Sequence, residues 1–319
     1  MKHLSVTVFG AGGFVGRHLV RRLAAQGARI TAAVRDPEAA LFLKTMGNVG
    51  QIAIRPASVT RPDTVAAVTA GADVVVNLAG ILTPGGKQNF QAVHVDGAAN
   101  VAAAARDAGV SRLVHLSAIG AAADAPSEYL RSKAAGEEAV RAAFADATIL
   151  RPSLIFGPED RFFNLFASMA RYFPVLPMPN NGATRFQPVY VGNVAEAAAR
   201  AVQGKGTGRT LELGGPEIRT FRELMEIMLE VIERRRLLLP MPLGVSRLMG
   251  SLMQIMPAPL LTRDQVESLT VDNIVTGEDG LAAYGIEPTS MAVILPTYLA
   301  RFRRGGHSHH PQAGMRAPG

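Results

Sequence analysis

Tyr129 and Lys133 stand four residues apart in Tyr129-Leu130-Arg131-Ser132-Lys133, so a helix through them would put both on one face. An ammonium beside a phenol stabilises the phenolate and lowers the hydroxyl pKa from about 10 toward a range useful for proton transfer. Ser117 ends the apolar run from Leu113. There it would either donate a hydrogen bond to a carbonyl or a cofactor, or cap a loop. A second constellation lies near the N-terminus, where Val6 to Phe9 runs directly into Gly10-Ala11-Gly12-Gly13-Phe14-Val15-Gly16 and then into a helical period over Arg17 to Ala25. Gly10, Gly13 and Gly16, with the amides of Phe14 and Val15, would let a pyrophosphate reach a bare helix N-terminus. The natural ligand of such a strand, glycine turn and helix is a dinucleotide.

The second apolar run ends in Ala33-Val34-Arg35-Asp36. An acid at this point would bind the ribose 2′-hydroxyl of NAD, whereas Arg35 points to a 2′-phosphate and so to NADPH. Arg17 would either add a second positive charge beside that phosphate or stand as a solvated first-turn residue. Asp36 keeps NAD open as the alternative, should it face the ribose in place of Arg35.

These groups need a scaffold, and the chain alternates in a way that supplies one. Gln51 to Ile54 reads as a strand, Pro62 to Thr69 as a helix, and Asp73 to Gly80, with Leu78, Ala79 and Gly80 at its end, as a buried strand entering a turn. Phe90 to Ala108 reads as a helix, Leu113 to Ser117 as a strand, Glu128 to Phe144 as a helix and Ala147 to Leu150 as a strand. The expected class is α/β, a doubly wound parallel Rossmann sheet with a smaller C-terminal α/β lobe. Beyond Arg151-Pro152-Ser153 the alternation loosens; Val189 to Val202 reads as a helix, Thr210 to Leu213 as a last strand, and Phe221 to Arg234 as a helix. The expected domains are a nucleotide-binding unit over 1–157, its sheet completed by about 186–214, and a lobe over 158–185 and 215–303. Residues 304–319 read as a disordered basic tail.

Composition excludes several classes. At 319 residues and 48% hydrophobic content the chain can bury a large core. It has no cysteine, and three of its seven histidines (His307, His309, His310) sit in the tail, so neither a disulfide framework nor a metal-ligand spacing is expected. Four arginines beyond residue 300 supply more than half of the net charge of +7; the body is only mildly basic, which argues against nucleic acid as a partner. No signal peptide is expected before Val6, and no stretch is long and apolar enough for a spanning helix.

Taken in order, the glycine turn, Asn77-Leu78-Ala79-Gly80, Ser117, the Tyr129/Lys133 pair and Arg151-Pro152-Ser153-Leu154-Ile155-Phe156-Gly157-Pro158 resemble the short-chain dehydrogenase/reductase superfamily, in its extended or atypical branch. The resemblance implies Tyr129 as acid/base, Lys133 on the nicotinamide ribose and Ser117 polarising a substrate, with Pro152 and Leu154 beside the cofactor. Extended enzymes usually carry a Ser or Thr one or two positions after this serine, where the chain has Ala118 and Ile119. Later segments, Glu159-Asp160-Arg161-Phe162-Phe163-Asn164, Phe166 to Ala170 and Arg185 to Val191, resemble more specifically the nucleotide-binding accessory subunits of respiratory complex I, the alpha subcomplex subunit nine type, in a bacterial version. That implies NADPH held as a structural element on the peripheral arm, with complex I subunits and the membrane surface as partners. The implied site is the cytoplasmic face of the bacterial inner membrane.

Two functions follow, an accessory subunit without turnover and a free NADPH-dependent reductase, epimerase or dehydratase using Tyr129 and Lys133. A substrate would sit along Phe162 to Phe186, where Phe162, Phe163, Phe166, Met169, Tyr172 and Phe173 read more readily as core than as a site. After Arg234-Arg235-Arg236, a helix over Leu243 to Met256 would carry Leu248, Leu252 and Ile255 on one stripe beside Met249, Met253 and Met256. Core packing and a partner-facing surface are both open for it.

Overall fold

The computed structural model describes residues 4–86, 88–253 and 262–305. Seven strands form one parallel sheet: β1 (Ser5–Phe9), β2 (Arg29–Val34), β3 (Ile52–Pro56), β4 (Val74–Asn77), β5 (Arg112–Leu116), β6 (Thr148–Pro152) and β7 (Thr210–Leu213). Their order across the sheet is β3-β2-β1-β4-β5-β6-β7. The order reverses between β1 and β4, and such a reversal leaves a crevice at the carboxyl ends of those two strands.

Successive strand residues point to opposite faces, and both faces are covered. On one side Val6, Val8, Val74 and Val76 pack with Leu19 and Leu23 of α1 (Phe14–Ala25) and with Val194 and Ala198 of a later helix. On the other, Phe9, Val75 and Leu113 meet α2 (Pro62–Thr69), α3 (Gly97–Asp107) and α4 (Glu128–Ala143) through Val65, Val101 and Val140. Burial on two sides explains why β4 reads as an unbroken apolar run rather than an alternating one.

Between β6 and β7 the chain leaves for the lobe, forms α5 (Phe162–Tyr172), and returns through α6 (Val191–Val202). After β7 come α7 (Phe221–Val231), α8 (Leu243–Met253) and α9 (Arg263–Ser268). The lobe core joins Phe163 and Ala167 of α5 to Leu224, Met225 and Met228 of α7 and to Leu295 and Tyr298. It also contains a two-stranded parallel ribbon, Val175–Pro179 on Leu237–Met241. Leu176 and Met178 turn inward and are fully buried, while Val175, Leu237 and Leu239 face out.

Several boundaries depart from the sequence expectation. Phe90 to Ala108 is not a uniform α-helix: Gln91–Asp96 winds as a π-helical turn before α3 begins. Val189 and Tyr190 pair as a short strand with Ile155 and Phe156, so the helix starts only at Val191. The helix from Phe221 ends at Val231, because Glu233 takes a left-handed conformation (φ 54°). The stretch after Arg236 begins as a strand, since the consecutive leucines Leu237 to Leu239 find an edge at Val175–Pro179. Ile255, Met256 and residues 306–319, with the tail expected from residue 304 on, fall outside the described residues, apart from Arg304 and Gly305.

Candidate functional site

The glycine turn works by close approach. Gly10 has φ +75°, and a Cβ there would lie 3.0 Å from the backbone of Leu78, so the turn after β1 touches the turn after β4. A Cβ on Gly16 would come within 2.2 Å of the Gly10 carbonyl oxygen and 2.6 Å of that of Ala11. Only a bare residue lets α1 start this near the strand. Gly13 precedes the helix without a side-chain cap, and the first turn holds no acid, which leaves the amides at Phe14 and Val15 available to an anion.

In front of this turn lies a cleft of about 530 Å³, lined by Gly10, Gly12, Gly13, Arg35, Asp36, Leu78, Ala79 and Gly80 together with Ala57, Ser58, Val59, Ile81, Gln88 and Val93. Ser58, Val59 and Gln88 were absent from the sequence expectation, although the rule that ligands bind beyond carboxyl strand ends would have reached the residues after β3. Arg35 reaches across the mouth, its Nη1 donating to Gln88 Oε1 at 3.3 Å. Asp36 turns into its own loop, where Oδ1 accepts from the Ala39 amide at 3.1 Å.

Arg17 does not line this cleft. Its guanidinium donates to the Gly12 carbonyl at 3.2 Å, lies 3.6 Å from Glu159 and covers the Phe42 ring at 4.8 Å. Of the two roles open to it, a second charge beside the 2′-phosphate or a first-turn residue, these contacts hold the side chain along the first turn of α1. Phe14 packs its ring toward Gly157 and His18, and Val15 is buried under the sheet. Of the remaining predicted residues, Pro152 is buried at the end of β6 and Leu154 packs against the lobe core, neither in the cleft.

Ser117, Tyr129 and Lys133 form a second group beyond Gly80, where a glycine Cβ would stand 3.3 Å from Lys133 Nζ. Lys133 is buried and donates to the Leu116 carbonyl at 3.2 Å. Burial pushes it down to about 8, against an opposing pull from Glu137. Tyr129 is half-buried, and burial pushes its hydroxyl up to about 12. The expected lowering of the tyrosine by the lysine does not occur in this arrangement. Sharing a helical face brought the two near, but the carbonyl of Leu116 took the ammonium. Ser117 Oγ is buried without a partner among the described residues, a cost that a ligand hydrogen bond would remove.

The lobe completes this group from residues the sequence did not mark. Asp264 of α9 accepts from the amides of Glu128 (2.5 Å) and Tyr129 (3.1 Å), capping α4. Asn273 Oδ1 accepts from Ser153 Oγ at 2.7 Å and from the Leu154 amide at 2.8 Å, while its Nδ2 donates to the Ile119 carbonyl at 3.4 Å. His115 is held neutral, pushed down to about 3 by burial and then by Lys133. Its Nδ1 accepts from Asn77 Nδ2 at 3.2 Å. Among the described residues no cluster of three or more acids and histidines could hold a metal, and no helix is long and apolar enough to cross a membrane.

The low value of Lys133 has a measurable consequence. Below pH 8 the folded and unfolded chains both carry its proton and the burial cost is felt in full. Between pH 8 and 10.5 the unfolded chain holds a proton that the folded one has lost, so stability rises. Relative to Lys133→Met, the nucleotide-free protein should gain about 3 kcal/mol of unfolding free energy over that window. A difference that stays flat in denaturant titrations at pH 7 and 10.5 would mean that the buried ammonium titrates normally.

A strand-turn-helix with free amides, a switch-point cleft and a tyrosine and lysine beyond it define an NAD(P)-binding protein of the extended short-chain dehydrogenase/reductase type. Consistently, a family described as NAD(P)H-binding matches residues 10–161. Within that class the chain belongs to the family of the complex I alpha subcomplex subunit 9. It is 35% identical over 315 residues to "NADH dehydrogenase [ubiquinone] 1 alpha subcomplex subunit 9, mitochondrial" of Arabidopsis thaliana, covering 94% of this chain and 78% of the relative. A ceramide reductase of Caulobacter vibrioides is 36% identical over 198 residues, 62% of this chain and 59% of that one. In fold the chain is similar to an NADPH-dependent quinone oxidoreductase of Escherichia coli solved with NADPH, with TM-score 0.72 at 18% identity over 93% of this chain and 99% of that one.

Proposed function

We propose that this chain is an NADPH-binding accessory subunit of respiratory complex I, with a structural or assembly role on the peripheral arm at the cytoplasmic face of a bacterial inner membrane. The observation that carries the reading is an asymmetry within the site. The nucleotide end is formed, with its cleft, its free amides and Arg35, while Lys133 is bonded to the Leu116 carbonyl and burial raises the Tyr129 hydroxyl instead of bringing it toward neutral pH. Such a site binds a dinucleotide without readying an acid/base for turnover.

A surface supports the partner half of the proposal. On α8, Val245, Leu248 (64% exposed) and Leu252 (60%) stand out of the lobe at spacings that share one stripe. The outward face of the ribbon adds Val175, Leu237 and Leu239. Exposed apolar area of this kind marks an interface. The protein should sediment with membranes together with complex I subunits, and Leu248→Asp with Leu252→Asp should release it while bound NADPH is retained. A wild-type protein that is wholly soluble, with no complex I subunit co-purifying, would remove the assignment.

The unpartnered Ser117 Oγ favours a second reading, a free NADPH-dependent short-chain reductase, epimerase or dehydratase. In it the bound cofactor would supply hydride chemistry, Ser117 would hold a substrate carbonyl, Tyr129 would supply the proton and Lys133 would stabilise the phenolate. The similarity to a ceramide reductase supports this reading. Carbonyl-dependent NADPH oxidation, lost in Tyr129→Phe, would mark it in the same soluble preparation.

A further inference from the structure

The π-helical turn Gln91–Asp96 carries a histidine with two well-defined bonds and no role so far. Ser132 Oγ donates to the Tyr129 carbonyl at 2.7 Å, so its oxygen accepts at 2.8 Å from His94 Nδ1, which must hold the ring proton. On the opposite edge of the ring Nε2 accepts from the Ile81 amide at 3.0 Å. A doubly protonated ring would aim a proton at that amide. Burial, with Lys133 and then His115 adding to it, holds His94 neutral, pushed down to about 3. The tautomer is thus set by both neighbours.

The ring is also clamped. It stacks on Phe90 with centroids 5.4 Å apart and meets the Tyr129 ring edge-on at 5.6 Å. Its backbone is pinned as well, since a Cβ on Gly136 of α4 would lie 2.1 Å from the His94 carbonyl oxygen. Its Nε2 would stand 3.6 Å from a Cβ at Gly80. The ring therefore spans from α4 to the loop Leu78 to Ile81, which lines the nucleotide cleft.

We propose that His94 is a positioning residue that fixes the far, nicotinamide end of the bound cofactor by tying the loop after β4 to the helix carrying Tyr129 and Lys133. The inference rests on the NADPH-binding reading and adds a division of labour to it. Arg35 and the residues after β2 and β3 hold the adenosine end, and the His94 strut sets the loop against which the other end lies. A neutral imidazole suits the task because one rigid ring presents a donor and an acceptor on opposite edges at fixed separation. Small displacements of such a loop are costly to reactive-end geometry.

The test uses two probes, NADPH and 2′,5′-ADP, the second carrying only the adenosine end. His94→Gln keeps an acceptor for the Ile81 amide, and His94→Asn keeps a donor for Ser132. By calorimetry the Asn variant should bind NADPH about tenfold more weakly and the Gln variant within about threefold of wild type, from the loss of one buried hydrogen bond. Binding of 2′,5′-ADP should be unchanged in both. Parallel losses for the two probes, or none, would overturn the role, whereas a wild type that binds neither probe would instead overturn the NADPH reading. Should the variants not fold, nitrogen NMR of the wild-type ring decides. The Nε2 resonance should be that of an unprotonated acceptor and should move with NADPH but not with 2′,5′-ADP; equal movement with both would refute the strut.

Discussion

Arg35→Ala is expected to erase most of the protein's preference for NADPH over NADH. The guanidinium sits at the mouth of the cleft just after β2, where it donates to Gln88. The nearby carboxylate of Asp36 is turned to the Ala39 amide. A charge-assisted hydrogen bond contributes about 1.5 to 3 kcal/mol, a discrimination of roughly 10- to 150-fold. Wild-type affinities by calorimetry should differ by that order and converge in the variant, chiefly through weaker NADPH binding. Equal affinities in the wild type would show that Arg35 does not meet a 2′-phosphate.

Gly16→Ala should do more damage than any other single methyl group in the nucleotide-binding turn. Its Cβ would fall 2.2 Å from one backbone oxygen and 2.6 Å from another, and neither is a flexible side chain that can swing away. The start of α1 must lift off the turn and carry its amides with it. Overpacking of this kind costs about 1 to 3 kcal/mol, occasionally more. Loss of a ligand present at 100-fold its Kd removes a further ~2.7 kcal/mol. Thermal unfolding with and without NADPH should therefore show a lower Tm and no ligand-induced shift. Gly12→Ala is the matched control, because its Cβ would find ordinary contacts at 3.7 Å with Ala40 and Val34. Its nucleotide-free stability should stay near wild type, and a drop equal to that of Gly16→Ala would contradict the close-packing argument.

What could be read from the sequence was what is local. Pro62–Thr69 and Thr210–Leu213 stand where propensity and apolar pattern put them, and the glycines marked the turn because their need for close approach is written in neighbouring residues. Arg35 was legible as the residue that follows the second apolar run, and it stands directly after β2. The fate of Arg17 was not, since Glu159 lies far along the chain. The Tyr129/Lys133 spacing gave the shared face but not the hydrogen bond, which a carbonyl on another strand decided. His94 was invisible because a period of 3.6 carries no sign of a π-helical turn. The ribbon, Asp264 and Asn273 depend on pairings across the lobe that no local rule encodes.

The reach of Asp264 and Asn273 also orders events in time. Asp264 bonds an amide 136 positions earlier, and Asn273 a carbonyl 154 positions earlier. During synthesis the glycine turn, Arg35 and the strands around them emerge long before either residue, and domains tend to fold N-terminal first. The adenosine end can thus be assembled on a nascent chain while α4 still has uncapped amides and the loops after β5 and β6 still lack their clamp. A nucleotide captured early would be a scaffold for the lobe that follows. Completion of the tyrosine and lysine end then waits for residues 264 and 273, so a chain broken off before residue 264 would hold one end of a cofactor and never finish the other end of its site.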